Sequence, residues 1–364
     1  MEGTTILSLS LLPVLFFALW HITAASVPPI PQSMRNKRII LLIAHPDDES
    51  MFFNPTLQAL THPSLQNHLK ILCMSTGNAD GIGETRRLEL EKAAVQLGLR
   101  RREDVYVLDD ERFKDGMDQV WQPEDIVRVL ASAFAPHLNN SKSQAAAPST
   151  SSTPSKEKEK DKDKRKSKSS SKTNPKSTSV STSTSVSPGP AAASNVPAGP
   201  LASIDVLVTF DERGISSHPN HIALFHGATL FLQRIMHGHS GYACPVSLYT
   251  LPTVNIARKY SFILDAIPTM LGGIYNAIFS NISGIVSRST SGRGGASWTA
   301  GGAAANKSNP DRLVFINDIP RYWRARAAMT EGHASQMVWF RWGWIGLGRY
   351  MVVNDLKAQK VVGT

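Results

Sequence analysis

The sequence predicts an α/β fold, in which a mostly parallel sheet carries helices on both faces. The main observation is that short apolar runs alternate with helical patterns along the chain. The runs have the length and continuity of buried parallel strands. They lie at 38–44, 69–75, 105–108 and 204–209. The helical patterns lie at 84–99, 124–134 and 221–236. A second observation is that reactive polar residues follow two of the runs, where ligands bind in such sheets.

The charge of the chain is concentrated in one segment. The 364 residues include 39 Lys and Arg and 29 Asp and Glu, a formal net charge of +10. Residues 141–200 alone contribute +7, so the rest of the chain is close to +3. This distribution excludes a uniformly basic nucleic-acid binder, and we expect no nucleic-acid partner. Two cysteines, Cys73 and Cys244, are too few for a disulfide-dense scaffold or a Cys-rich zinc module.

The N-terminal region is strongly apolar. Residues 4–25 contain no Asp, Glu, Lys or Arg, and a membrane-spanning helix needs about 20 such residues. The basic residues Arg35, Lys37 and Arg38 follow this stretch, which favours a cytosolic location for the chain after it. We therefore predict a transmembrane anchor at 4–25. A signal peptide cleaved near residues 24–26 is the alternative.

Two segments have the composition of insertions. Residues 139–200 are rich in Ser, Thr, Pro and Lys and predict a disordered insertion, because such a composition buries too little apolar surface to fold. A solvated linker is favoured there over a lipid-binding segment. Residues 287–310 are rich in Gly, Ser and Ala and predict a flexible loop.

For two further apolar stretches, the sequence does not decide between the protein core and a membrane surface. Residues 260–286 are consistent with a core helix or with a segment docked at a bilayer surface. Residues 338–353 combine Trp, Tyr and Arg, the composition of a membrane-interface belt, but a buried amphipathic helix fits equally well.

The most informative motif, HPDDE, comes directly after the first predicted strand and covers residues 45–49. Its clustered carboxylates repel one another unless a cation offsets their charge. His45, an Asp three residues later and one further His would suit a catalytic zinc site with an open position for water. The alternative is a helix N-cap, which explains the carboxylates but not His45.

A second motif supplies the further histidine. The segment FDERGISSHPNH, residues 210–221, follows another predicted strand. His218 and His221 are three residues apart at the start of a helix, so both can face one side. No nucleophile elbow, Walker loop or CxxC pair competes with this interpretation.

Together with GNADGIGETRRLEL at 77–90 and HASQMVWFR at 333–341, these motifs resemble the PIG-L branch of the LmbE-like deacetylases. The resemblance implies a Rossmann-like deacetylase domain over 38–356, interrupted by the two insertions. It implies hydrolysis of the N-acetyl group of N-acetylglucosaminylphosphatidylinositol, a glycolipid precursor of GPI anchors. It also implies a single-pass protein of the endoplasmic reticulum membrane with a cytosolic catalytic domain.

The resemblance assigns the central roles to five residues. It implies that His45, Asp48 and His221 bind zinc, although ferrous iron or manganese could occupy the same ligands. Asp47 would be the general base. His218 would polarise the carbonyl group and stabilise the oxyanion.

Other residues receive supporting roles from the resemblance. Glu49 would orient a metal ligand. Arg86 matches a family arginine that contacts the substrate, a task for which its forked guanidinium is suited. The weaker candidates for sugar contacts or site support are Asp80, Asp109, Asp115, His333 and Gln336. The family often has a basic residue at the position of Ala334, so that motif is less complete here.

Two other functions remain open at this point. The first is a deacetylase of the same fold that acts on a different N-acetyl sugar conjugate. The second is a non-catalytic, membrane-anchored interaction protein. The sequence does not indicate protein partners.

Overall fold

The computed structural model describes residues 2–138, 199–272 and 309–360, with side chains from residue 11 onward. Within these ranges, the strands are β1 (Arg38–Ile43), β2 (His68–Cys73), β3 (Val105–Val107), β4 (Val206–Phe210), β5 (Ser247–Leu251), β6 (Arg312–Ile316) and β7 (Val353–Gln359). They form one sheet in the order β3-β2-β1-β4-β5-β7-β6. Strands β1 to β5 pair in parallel, and β7 is antiparallel to both β5 and β6. The predicted α/β class is confirmed.

The four predicted strands are β1 to β4, with small shifts at their ends. In the two central strands, β1 and β4, the apolar side chains are continuous because both faces are covered: all of β4 is buried, as is β1 after Arg38. Strands β5 to β7 were not predicted. In β7 the sequence VNDLKAQ has no apolar run, yet Asn354 and Asp355 are buried with hydrogen-bond partners. Tertiary contacts rather than local pattern make this segment a strand.

The helices are α1 (Glu2–Ala25), α2 (Asp48–Met51), α3 (Asn54–Leu60), α4 (Gly83–Gln96), α5 (Pro123–Phe134), α6 (Pro219–Met236), α7 (Ile256–Lys259), α8 (Ile319–Ala327) and α9 (Trp339–Leu347). Helices α4, α5 and α6 correspond to the three predicted helices. Helix α5 begins with Pro123 and has Glu124 in its first turn, both favourable at a helix N-terminus. It packs closely on α6, where a Cβ at Gly227 would lie 2.5 Å from Ile126.

The predicted membrane anchor is wrong. Among the residues that the structure describes, no helix has both the length and the apolar character needed to cross a membrane. The end of α1 packs on the domain instead: Trp20 is buried, and its indole N–H donates to the carbonyl of Asn317 at 2.7 Å. The rings of Phe262 and Tyr322 lie edge-on to Trp20. The single-pass location that rested on the anchor is therefore also contradicted.

Several predictions fall on residues that the structure does not describe. The predicted disordered insertion at 139–200 lies outside the described residues except for 199–200. The predicted flexible loop at 287–310 lies outside them except for 309–310. The same holds for 273–286, the second half of the apolar stretch that starts at residue 260.

The strand order places a crevice between β1 and β4. Within the sheet, the strand that follows β1 in the chain, β2, lies beside β1 on the edge away from β4. The strand that follows β4, β5, lies beside β4 on the edge away from β1. Such a reversal opens a crevice at the carboxyl ends of the two strands, and ligands of open α/β sheets bind there. Both sequence motifs start at this edge, because 45–49 follows β1 and 211–221 follows β4.

Candidate active site

Asp48 is held rigidly at the end of β1. Its Oδ2 accepts hydrogen bonds from the backbone N–H groups of Ala44 at 2.9 Å and His45 at 3.0 Å. Its Oδ1 lies 3.2 Å from Nε2 of His221. Asp47, which occupies the N-cap position of α2, forms no capping hydrogen bond. Helix capping therefore does not account for these two carboxylates.

A strained turn positions His221 at the end of β4. Gly214, Ile215, Ser216 and Ser217 all have positive φ, which costs about 1–3 kcal/mol for a residue other than glycine. Gly214 also needs to lack a side chain, because a Cβ there would lie 2.9 Å from the backbone nitrogen of Ile222. Its carbonyl accepts a hydrogen bond from Nδ1 of His221 at 2.8 Å. The lone pair of His221 is therefore on Nε2.

The predicted metal ligands come together. His45, Asp48 and His221 are buried, and each offers a ligand atom within 4.8 Å of the others. Nε2 of His221 is buried without a hydrogen-bond partner, and such an unpaired group is unusual in a folded protein. Two imidazoles and one carboxylate around an unpaired nitrogen fit a divalent cation, and this donor set suits zinc. His45 is also shared with a second possible group, which includes Asp115 and His218.

Asp115 and Asn220 both contact His45. Nε2 of His45 lies 3.1 Å from Oδ1 of Asp115 and 3.1 Å from Oδ1 of Asn220. Burial lowers the pKa of His45, but the hydrogen bond to Asp115 and the charge of Asp48 outweigh burial and raise it. A carboxylate on the outer nitrogen of a metal-binding histidine fixes the ring orientation. Sequence reasoning assigned Asn220 no role, and it offered Asp115 as a candidate for sugar contacts or site support.

Two arginines surround Asp47. Nη2 of Arg341 lies 2.5 Å from its Oδ2, and Nη2 of Arg86 lies 3.7 Å away. Burial raises the pKa of Asp47, but the charges of Arg341 and Arg86 outweigh burial and hold its pKa well below the usual value. Asp47 is therefore ionised at neutral pH. Sequence reasoning gave Arg341 no role, although this arginine is the last residue of the quoted motif 333–341.

Arg86 links several groups of the site. Its Nη1 donates to the carbonyl of Gly77 at 2.7 Å and to Oδ2 of Asp115 at 3.3 Å. Gly77 has a φ of +63°, and a Cβ there would lie 2.3 Å from Nη1 of Arg86. Only glycine therefore permits this close approach. The guanidinium is largely buried against protein groups, and its contacts in this structure are with Asp47, Asp115 and Gly77.

His218 is the most accessible histidine of the cluster. Its Nδ1 accepts the backbone N–H of Asn220 at 3.3 Å, which leaves its proton on Nε2. Its ring lies 4.8 Å, between centroids, from the rings of both His45 and His221. Burial and the neighbouring imidazoles of His221 and His45 lower the pKa of His218 to about 4. His218 is thus a neutral hydrogen-bond donor near pH 7.

Glu49 and His333 form a buried pair behind the cluster. Nε2 of His333 lies 2.6 Å from Oε1 of Glu49, and both side chains are almost completely buried. The amide Nε2 of Gln336 lies 2.9 Å from Nδ1 of His333 and 3.1 Å from Oε2 of Glu89. The structure therefore places His333, a candidate for sugar contacts or site support, on Glu49. It places Gln336, a second such candidate, on His333 and Glu89. Asp80 lies apart from this group, exposed at the end of the short turn Asn78–Asp80.

Comparisons with known proteins agree with the motifs. A family model described as "PIG-L: GlcNAc-PI de-N-acetylase" matches residues 40–163. A protein of Arthroderma benhamiae, named N-acetylglucosaminyl-phosphatidylinositol de-N-acetylase, is 39% identical over 98% of both chains. A Schizosaccharomyces pombe protein, named a probable enzyme of the same kind, is 30% identical over 88% of this chain and 86% of its own.

A solved deacetylase from the biosynthesis pathway of teicoplanin covers 88% of this chain and 97% of its own length. Its sequence identity is 11% and its TM-score is 0.39. The extended sequence similarity, rather than this distant structural match, decides the assignment, and it confirms the predicted family. The chain belongs to the PIG-L family of GlcNAc-PI de-N-acetylases.

Proposed function

We propose that this protein hydrolyses the N-acetyl group of N-acetylglucosaminylphosphatidylinositol. The products are acetate and glucosaminylphosphatidylinositol, and the reaction is the second step of GPI-anchor biosynthesis. The observation that carries the chemistry is the cluster of His45, Asp48 and His221 beside the ionised Asp47. The names of the relatives support the choice of substrate.

The proposed metal ligands are His45, Asp48 and His221. The unpaired Nε2 of His221 and the anchored carboxylate of Asp48 fit this role. When bound, a divalent ion such as Zn²⁺ supplies a Lewis acid that polarises the amide carbonyl and lowers the pKa of water. Asp115 and Asn220 orient His45, and the carbonyl of Gly214 orients His221.

Asp47 is the proposed general base. It takes a proton from the attacking water as that water adds to the amide carbon. The neighbouring Arg341 and Arg86 keep the carboxylate ionised and hold it in one orientation. Both arginines therefore act on the reaction through Asp47, and we propose them as positioning residues.

His218 is the proposed oxyanion donor. Its Nε2–H donates a hydrogen bond to the carbonyl oxygen as that oxygen gains negative charge, an effect that often dominates catalysis. With a pKa of about 4, His218 has no additional proton to give near neutral pH. We therefore propose that Asp47 returns the proton it accepted to the sugar nitrogen. The C–N bond then breaks, and the amine and acetate leave.

The proposal is tested by acetate release from N-acetylglucosaminylphosphatidylinositol in detergent, with the full-length protein. Wild type, Asp47→Asn and His221→Ala are compared with the exposed controls Glu103→Gln and His226→Ala. The proposal predicts activity in wild type and both controls, and its loss in the two site variants and after chelation. Activity only on a soluble N-acetylglucosaminide would instead indicate a deacetylase of another sugar conjugate. Inactivity of folded, metal-loaded protein on both substrates would reject the enzymatic function.

A further inference from the structure

Helix α9 has an unusual distribution of side chains. Residues on its solvent face are apolar or glycine: Trp339, Phe340, Trp342, Gly343, Gly346 and Leu347. Trp339 is 84% exposed, and the other three large side chains on this face are more than half exposed. A helix on the surface of a globular protein normally has polar residues on this face.

The opposite face of α9 points into the protein. Trp344 and Ile345 are buried, and Arg341 reaches Asp47. The only charged residue of the helix is thus directed inward, and the large apolar residues are directed outward. This inverted pattern does not help a helix that faces water. It is expected where the outer face meets an apolar phase.

The exposed face of α9 continues onto α8. The guanidinium of Arg326 lies 5.3 Å from the ring of Trp323 and 5.6 Å from the ring of Trp342. Trp323 and Leu347 also line an apolar groove of about 530 Å³ with Phe17 and Leu264. All four of these groove residues are at least half exposed. We call Trp323, Trp339, Phe340, Trp342 and Leu347 the aromatic surface.

We propose that the aromatic surface docks onto the lipid–water interface that presents the glycolipid substrate. This inference rests on the proposed function and adds how the substrate is reached. Docking on a lipid surface differs from spanning a membrane, because the helix would lie along the interface with only its outer face immersed.

Three observations favour a lipid surface as the occupant. Tryptophan is the side chain that most prefers the boundary between headgroups and acyl chains. Helices α8 and α9 contain four arginines and no Asp or Glu, and three of the four lie on α8, so the charge around the surface suits lipid phosphates. Arg341 crosses from α9 to Asp47, and a helix with its side chains is only about 10–12 Å wide. A glycolipid whose headgroup lies at Asp47 could therefore keep its lipid tails in the membrane on the far side of α9, beyond Trp339.

The test compares full-length wild type with a triple variant, Trp339→Ser, Phe340→Ser and Trp342→Ser. None of these residues contacts the proposed catalytic groups. A matched control carries Leu201→Ser and Tyr106→Ser, which remove exposed apolar surface elsewhere. Co-sedimentation is measured with vesicles of phosphatidylcholine and phosphatidylinositol. We expect binding by the triple variant to be weaker by about tenfold or more, with no change in the control or in melting temperature.

Kinetics separate docking from chemistry. The triple variant should show a raised KM for substrate in vesicles and an unchanged kcat/KM for the tail-less, water-soluble headgroup. Equal vesicle binding by wild type and triple variant would overturn the inference, as would equal loss of activity on both substrates. A wild-type dimer that becomes monomeric in the triple variant, with vesicle binding unchanged, would assign the surface to a protein contact instead.

A fluorescent probe gives a readout independent of turnover. An environment-sensitive label is attached to Phe340→Cys in a Cys244→Ser background, with Leu201→Cys as the matched position. Vesicles should shift the emission to shorter wavelength at 340 and not at 201. An unshifted probe at 340 would overturn the inference even if the enzyme is active. A shifted probe on an enzyme that is inactive towards the lipid would reject the proposed function but would still support docking through the aromatic surface.

Discussion

Arg341 and Asp47 are separated by 294 positions in the chain and joined by a contact of 2.5 Å. The arginine comes from the inner face of α9, and the aspartate from the end of β1. Arg86 of α4 approaches the same carboxylate from 3.7 Å. The proposed base is therefore held between two cations from different parts of the sequence, and its protonation depends on both.

Replacing Arg341 with Gln should make the enzyme more sensitive to acid. Its guanidinium stabilises the ionised form of Asp47 and lowers its pKa, so its removal raises that pKa. A smaller fraction of the base is then ionised at any acidic pH. We expect the acid limb of the pH profile of kcat/KM to move to higher pH. The exposed Arg324→Gln should leave the profile unchanged, and an unshifted profile in Arg341→Gln would contradict the role given to this contact.

Asp47→Asn should remove the base and keep the fold. General-base catalysis contributes about 10²–10⁴-fold, so kcat should fall by about that factor while KM changes little. The measurement is steady-state acetate release at several substrate concentrations. If kcat falls less than about tenfold, another group takes the proton, and the assignment of Asp47 is wrong.

His221→Ala should release the metal. The loss of one of the three proposed protein ligands lowers metal affinity strongly, because it removes the unpaired Nε2 of His221 that fits the ion. Metal content after dialysis, measured by atomic emission, should fall from about one ion per chain to near zero. His226→Ala, on the exposed side of α6, should retain its ion. Full metal content in His221→Ala would place the ion elsewhere.

His333→Ala should destabilise the protein more than it alters the chemistry. It removes the hydrogen bond between His333 and the buried carboxyl group of Glu49, and the loss of a partner by a buried polar group costs about 1–3 kcal/mol. We expect the urea midpoint to fall markedly. A second change, Glu49→Gln, should recover part of that loss because it removes the carboxyl group that lost this partner. If His333→Ala alone has the same urea midpoint as wild type, the contact between His333 and Glu49 does not stabilise the protein.

The sequence predicted the part of the fold that depends on local pattern. Strands β1 to β4 are continuous apolar runs, and α4 to α6 have helical periodicity, so short windows of sequence were enough to locate them. Strand β7 could not be found in this way, because the burial of its polar groups depends on distant partners, such as Thr56 for Asn354 and Arg312 for Asp355. The same limit explains the error at 4–25. Low charge along a segment does not show that Trp20 packs on Asn317 and Phe262.

The amino-acid sequence by itself determined the family, the α/β class and the two clusters that follow β1 and β4. Those features depend on residue type and spacing, which are local. Only the tertiary structure placed Arg341 on Asp47, Asp115 and Asn220 on His45, and His333 on Glu49. The reason is physical: the charge state of a buried group depends on neighbours within a few ångströms. Strand order and helix packing, rather than distance along the chain, decide which neighbours those are.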